Sequence, residues 1–83
     1  MHSRDGAVIR LRAEQFRQHA RRQGLKSDSA SAAYLGMNRS TVRRVLNGEI
    51  TPGERMIAAA LAAFPELTFD DLFEVVVPEG NAA

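Results

Sequence analysis

The sequence predicts a small, mainly α-helical domain of five short helices, with a brief β-strand near each end. Three observations predict it. Residues 38–48, Asn-Arg-Ser-Thr-Val-Arg-Arg-Val-Leu-Asn-Gly, carry a good N-cap residue at one end and a helix-closing glycine at the other. Apolar residues between Ala13 and Phe73 recur at helical spacing. Two β-branched runs, Val8-Ile9 and Val75-Val76-Val77, break that period near the ends.

With 83 residues the chain holds one domain, close to the lower size at which a single core suffices. It has no cysteine, so disulfides and thiolate chemistry are excluded. His2 and His19 are too few and too far apart for a metal site, and no cofactor is expected. No apolar run reaches the roughly 18 residues of a membrane span, and no signal-peptide core is present. A cytoplasmic protein is expected, with no membrane partner.

The net charge of +1 hides a division. Residues 1–50 hold ten Arg or Lys against four acids, a formal +6; residues 51–83 hold one Arg against six acids, a formal −5. Such a split suggests one face for a polyanion and another for something else. Arg outnumbers Lys ten to one, which suits bidentate recognition.

In chain order, residues 1–6 read as a disordered start, 7–78 as the domain and 79–83 as a flexible tail. A strand is expected over about 8–11. From Ala13 the period becomes helical: Phe16, Ala20 and Gln23 line one side of a helix ending at Gly24, with Arg21 and Arg22 in its last turn. His19 lies near that side and reads as a partly buried packing residue. Ser27 caps the second helix, with Asp28 in its first turn; Ala30, Ala32, Ala33 and Leu35 lead to Gly36. Between Leu35 and Val42 only a tight turn fits, with Met37 plugging the junction.

In the next helix Val42, Val45 and Leu46 form a narrow apolar stripe. The remaining positions are Arg, Ser, Thr or Asn, and a helix so short and so cationic cannot stand alone in water. Thr51 with Pro52 is expected to open the fourth helix, with Ile57, Ala60, Leu61 and Phe64 inward and Pro65 as the stop. Thr68 with Asp71 makes a capping box for a fifth, in which Phe69, Leu72 and Phe73 point inward. Residues 74–77 read as a strand, against the alternative that the fifth helix runs on through Val76. Two pairings are open: Val8–Leu11 with 74–77 in one molecule, or Val75–Val77 with a second copy.

Two short helices joined by three or four residues with Gly at the turn make a helix-turn-helix pattern over about 28–47. Ala32, Leu35, Gly36, Met37, Val42 and Val45 carry a closer resemblance. Residues 12 to 73 resemble the lambda repressor/Cro family of helix-turn-helix domains, also called the xenobiotic-response-element family. Arg39-Ser40-Thr41-Val42 and Leu46-Asn47-Gly48 are similar to that family's recognition-helix entry and exit, and residues 67–73 to its closing helix. There are departures. Ser31 replaces a large aliphatic residue, Asp28 stands where a phosphate-contacting Gln is common, and Ala20 and Leu46 replace a buried Arg–Glu pair. The loss of both charges at once leaves neither unpaired.

The resemblance implies a compact lambda-repressor-like fold and a transcriptional regulator, of the small phage or prophage repressor kind, that binds double-stranded DNA sequence-specifically. Helix 38–47 would lie in the major groove, with Arg39, Ser40, Arg43 and Asn47 reading bases. Thr41, Arg44, Thr51, Arg55 and Ser27 would contact phosphates. A domain this small implies a homodimer on a pseudo-palindromic operator, for which Phe69, Phe73, Val75, Val76 and Val77 are the interface candidates. The protein would then be nucleoid-associated when bound. The competing reading is a protein-binding module on the same fold, an antitoxin or anti-repressor partner. An enzyme is not expected, and neither is a small-molecule substrate: there is no nucleophile–base pair and no phosphate loop.

Overall fold

A computed structural model describes residues 6–77. The chain runs β1 (Val8–Leu11), α1 (Ala13–Arg22), α2 (Asp28–Leu35), α3 (Arg39–Leu46), α4 (Glu54–Ala63), α5 (Phe69–Leu72) and β2 (Phe73–Val76). The expected disordered start and flexible tail fall outside the described residues, apart from Gly6, which lies in a turn. Among the described residues no helix is long and apolar enough to cross a membrane.

The helices converge on one core. Phe16 of α1 meets Phe64 edge-on, ring centroids 5.8 Å apart, and neither ring is exposed. Ala20, Ala32 and Ala60 are all buried in the same core as Val42, Met56 and Leu72, and the small side chains of Ala32 and Ala60 suit the close approach of α2 and α4. Met56 is a core residue that the expected face of the fourth helix lacked; Ile57 and Leu61, which were on it, are only partly buried. Gln23 is exposed and caps α1 from outside the core, contrary to expectation.

The junction from α2 to α3 is closed by backbone geometry. Gly36 adopts φ +69°, where its N–H donates to Ala33 O at 3.1 Å and the Met37 N–H donates to Ala32 O at 2.9 Å. These two bonds occupy carbonyls that the end of α2 leaves free. Asn38 then caps α3, so only residues 36–38 separate the two helices.

Two expected boundaries are corrected. Thr51 does not cap α4: the chain stays extended through Gly53, which takes the cap position at φ −90° and ψ 179° without a side-chain bond. Pro52 is buried, and seating its ring in the body carries the chain past it before the helix begins. β2 starts at Phe73, one residue before the expected strand, and Val77 lies beyond its end. Phe73 is therefore a strand residue: it stands opposite Leu11, and its ring enters the core and stacks on Phe69 with centroids 5.2 Å apart.

The strands pair within the molecule, antiparallel, with Val8 opposite Val76 and Leu11 opposite Phe73. The fifth helix does not run on through Val76. Arg12 pins this ribbon to α5. Its Nε donates to Asp70 O at 3.0 Å and Phe73 O at 3.2 Å, and its Nη1 lies 3.5 Å from Glu74 Oε1. Thr68 and Asp71 complete the expected capping box: the Thr68 N–H donates to Asp71 Oδ2 at 2.8 Å, and the Asp71 N–H to Thr68 Oγ1 at 3.3 Å.

Candidate nucleic-acid interface

The site is built on α3. Val42, Val45 and Leu46 are buried and fix which side of the helix faces the core. Arg39, Ser40, Arg43, Arg44 and Asn47 are all exposed, while Thr41 is half-buried at the margin. Arg39, Arg43 and Asn47 follow one another at i, i+4 and i+8, so they form a row along the helix.

Both ends of α3 are fixed. Asn38 Oδ1 accepts from the Ser40 N–H at 2.8 Å and the Thr41 N–H at 3.3 Å. At the other end Gly48 takes φ +77°, its N–H donates to Val45 O at 3.0 Å, and the Glu49 N–H donates to Arg44 O at 2.8 Å. The first turn of α3 holds Arg39 and no acid, the reverse of what the positive end of a helix dipole favours. The site therefore concentrates positive potential at its N-terminal end, and an external anion would relieve it.

The arginines differ in their partners. Arg44 Nε lies 3.8 Å from Glu49 Oε1, a pair more than half exposed. Arg39 and Arg43 have no ion pair among the described residues. Arg55, in the first turn of α4, is exposed and likewise unpaired there. Thr51 is exposed in the connection before α4.

Ser27 is exposed and its Oγ accepts from the Ala30 N–H at 3.0 Å, so its hydroxyl is engaged in capping α2. Beside it Arg17 grips Asp28 through two bonds, Nη2 to Oδ2 at 3.1 Å and Nε to Oδ1 at 3.4 Å. Sequence reasoning missed Arg17. The signal was weak, because the pair bridges two helices across eleven positions and follows no helical spacing. Arg17, Arg21, Lys26 and Ser27 line one depression of about 160 Å³ at the start of α2, so the acid lies within a cationic rim.

A larger cleft of about 450 Å³ separates β1 from the exit of α3. It brings Arg10 onto the same rim as Asn47 and Thr51, a placement that periodicity could not give because Arg10 belongs to a strand 37 positions away from Asn47. Of the interface candidates, Phe73 is fully buried and so unavailable, Phe69 packs against the core, Val76 is half-buried, and Val75 and Val77 are exposed. Among the described residues no group of three His, Asp or Glu could hold a metal ion. No family model, curated protein or solved structure matches the chain.

Proposed function

We propose that the chain is a sequence-specific double-stranded-DNA-binding regulator of the lambda repressor/Cro type, with α3 as its recognition helix. One observation carries this reading. A short helix is held rigidly by three buried residues and two capped ends, while Arg39 and Arg43 stand exposed, in line and free of ion pairs among the described residues. A helix of this diameter fits the major groove, where an arginine donates two parallel bonds to guanine O6 and N7. Asn47 continues that row, and Ser40 lies exposed beside it.

Arg44 and Thr41 neighbour that row on α3, Thr51 shares a cleft rim with Asn47, and Arg55 is exposed in the first turn of α4; these are the residues suited to phosphates. The departure at Asp28 ceases to be an obstacle. Arg17 neutralises the carboxylate, and Arg21 and Lys26 around it keep that corner cationic.

The test compares two arginines. Arg43→Ala should cost about 1–3 kcal/mol on the preferred site and relax the preference at one base position. Arg55→Ala should weaken specific and random duplexes alike, lowering the slope of log affinity against log salt by about 1. Equal losses on both kinds of duplex for both variants would overturn the assignment. Retention of the protein by a protein partner, with no duplex preference, would favour the antitoxin-like reading instead.

A further inference from the structure

The cleft between β1 and the exit of α3 is built like a site for a small ligand. Its volume of about 450 Å³ lies within the roughly 300–1,000 Å³ usual for such sites. Its floor is apolar. Leu11 reaches it from β1 and Val45 and Leu46 from α3, each less than a tenth exposed, and half-buried Val8 and Ile50 add to the apolar lining.

Three charged side chains line the same cleft, and they differ in their partners. Glu49 Oε1 lies 3.8 Å from Arg44 Nε, and Glu74 Oε1 lies 3.5 Å from Arg12 Nη1. Glu74 stands opposite Arg10 in the ladder, yet its carboxylate goes to Arg12, and Arg10 has no ion pair among the described residues. The cleft therefore sets a spare guanidinium beside an apolar floor. A cationic ligand would find both carboxylates already matched, and a neutral one would leave the guanidinium unused. A carboxylate uses it fully, because a guanidinium donates two parallel bonds to its oxygens.

We propose that this cleft binds a small carboxylate with an apolar body, its charged end paired with Arg10 and its body lying on Leu11, Val45 and Leu46. Val45 and Leu46 belong to the buried stripe that seats α3, and Asn47 and Thr51 share the cleft's rim. The occupant thus touches the seat of α3 and neutralises a cation beside two residues of the proposed DNA face. Occupancy lowers duplex affinity, and the carboxylate acts as an inducing ligand read by the DNA-binding domain itself. That inducing step rests on the DNA-binding reading; occupancy of the cleft does not.

The test is a titration of the full chain followed through its amide resonances. Octanoate is the probe, octylammonium its cationic counterpart, and acetate the same head without the body. Octanoate should bind with a dissociation constant on the order of a millimolar and move the amides of Arg10, Leu46 and Ile50 most. Octylammonium and acetate should each bind at least about tenfold more weakly. Arg10 is exposed, so Arg10→Gln should keep the thermal midpoint of the unaltered chain while weakening octanoate at least about fivefold. Equal binding of octanoate and octylammonium, equal binding of octanoate and acetate, shifts centred away from the cleft, or full octanoate affinity in Arg10→Gln would each overturn the site. At saturating octanoate the unaltered chain should lose about fivefold in duplex affinity relative to the same concentration of acetate, and Arg10→Gln less than about twofold. Unchanged duplex affinity in the occupied protein would overturn the inducing step. If no duplex is bound under any condition, the DNA-binding reading fails and the inducing step with it, and the titration alone decides the cleft.

Discussion

Gly48→Ala isolates the backbone contribution to holding α3. Gly48 sits at φ +77°, and a Cβ built there meets no atom within 4 Å. The substitution therefore introduces no clash with neighbouring groups, and its whole cost is the left-handed conformation of an L-residue, about 1–2 kcal/mol. A partial offset comes from the narrower unfolded ensemble of Ala, about 0.4–1 kcal/mol. The net loss should be about 1 kcal/mol. For a domain of this size that lowers the thermal midpoint by roughly 4–8 °C. The assay is urea unfolding followed by helical circular dichroism, with Gly48→Asn as the internal comparison, because Asn tolerates the left-handed region better. The expected order of stability is Gly48, then Asn, then Ala, with an unchanged denaturant slope. An Ala variant as stable as the unaltered chain would refute the claim that the positive φ at this helix end constrains the sequence.

Three further outcomes follow from named contacts. Arg12→Met keeps the aliphatic stem and removes the Nε donor to Asp70 and Phe73; with the side chain over a third exposed, the expected loss is about 1–2 kcal/mol, read by denaturant unfolding. Asp28→Asn should lower stability by no more than about 1 kcal/mol, because the pair with Arg17 is about a third exposed, and should raise duplex affinity at low salt by releasing Arg17; weaker binding would contradict the proposed interface. Asp71 accepts from the Thr68 backbone N–H and also bonds the Thr68 hydroxyl, with His19 adding a smaller attraction, and these hold its carboxyl below the ordinary 3.8. Its contribution to stability is present above that value and is lost as pH falls through the lower folded value, so the deficit of Asp71→Asn at neutral pH should close in acid below about pH 4. A deficit that stays constant down to acid unfolding would show that charge plays no part in the cap.

What the sequence revealed and what it hid divide along the reach of the interactions. The ends of α3 are marked by Asn38 and Gly48, which act on groups two to four residues away, so the helix and its exposed row could be read directly. The capping box of Thr68 and Asp71 is equally local. Thr51 misled because Ser/Thr followed by Pro is a good start signal, yet burial of the Pro52 ring, a tertiary event, moved the start to Gly53. Phe73 has apolar neighbours that suit either a helix or a strand, and only its pairing with Leu11, 62 positions away, decides between them. The same distance left intramolecular and intermolecular strand pairing equivalent on paper. Arg17, Arg12 and Arg10 looked like interchangeable surface charges, and it was the fold that gave one to Asp28, one to the ribbon and one to the rim beside Asn47.

Base reading by α3 in duplex DNA is tested most directly by selecting bound duplexes from a random pool at about physiological salt, where counterion-driven binding does not mask specificity. The expected result is enrichment of a short motif containing guanines, arranged as an inverted repeat, with the preference at one position lost in Arg43→Ala. An unenriched pool after repeated rounds, with Arg43→Ala indistinguishable from the unaltered chain, would contradict it.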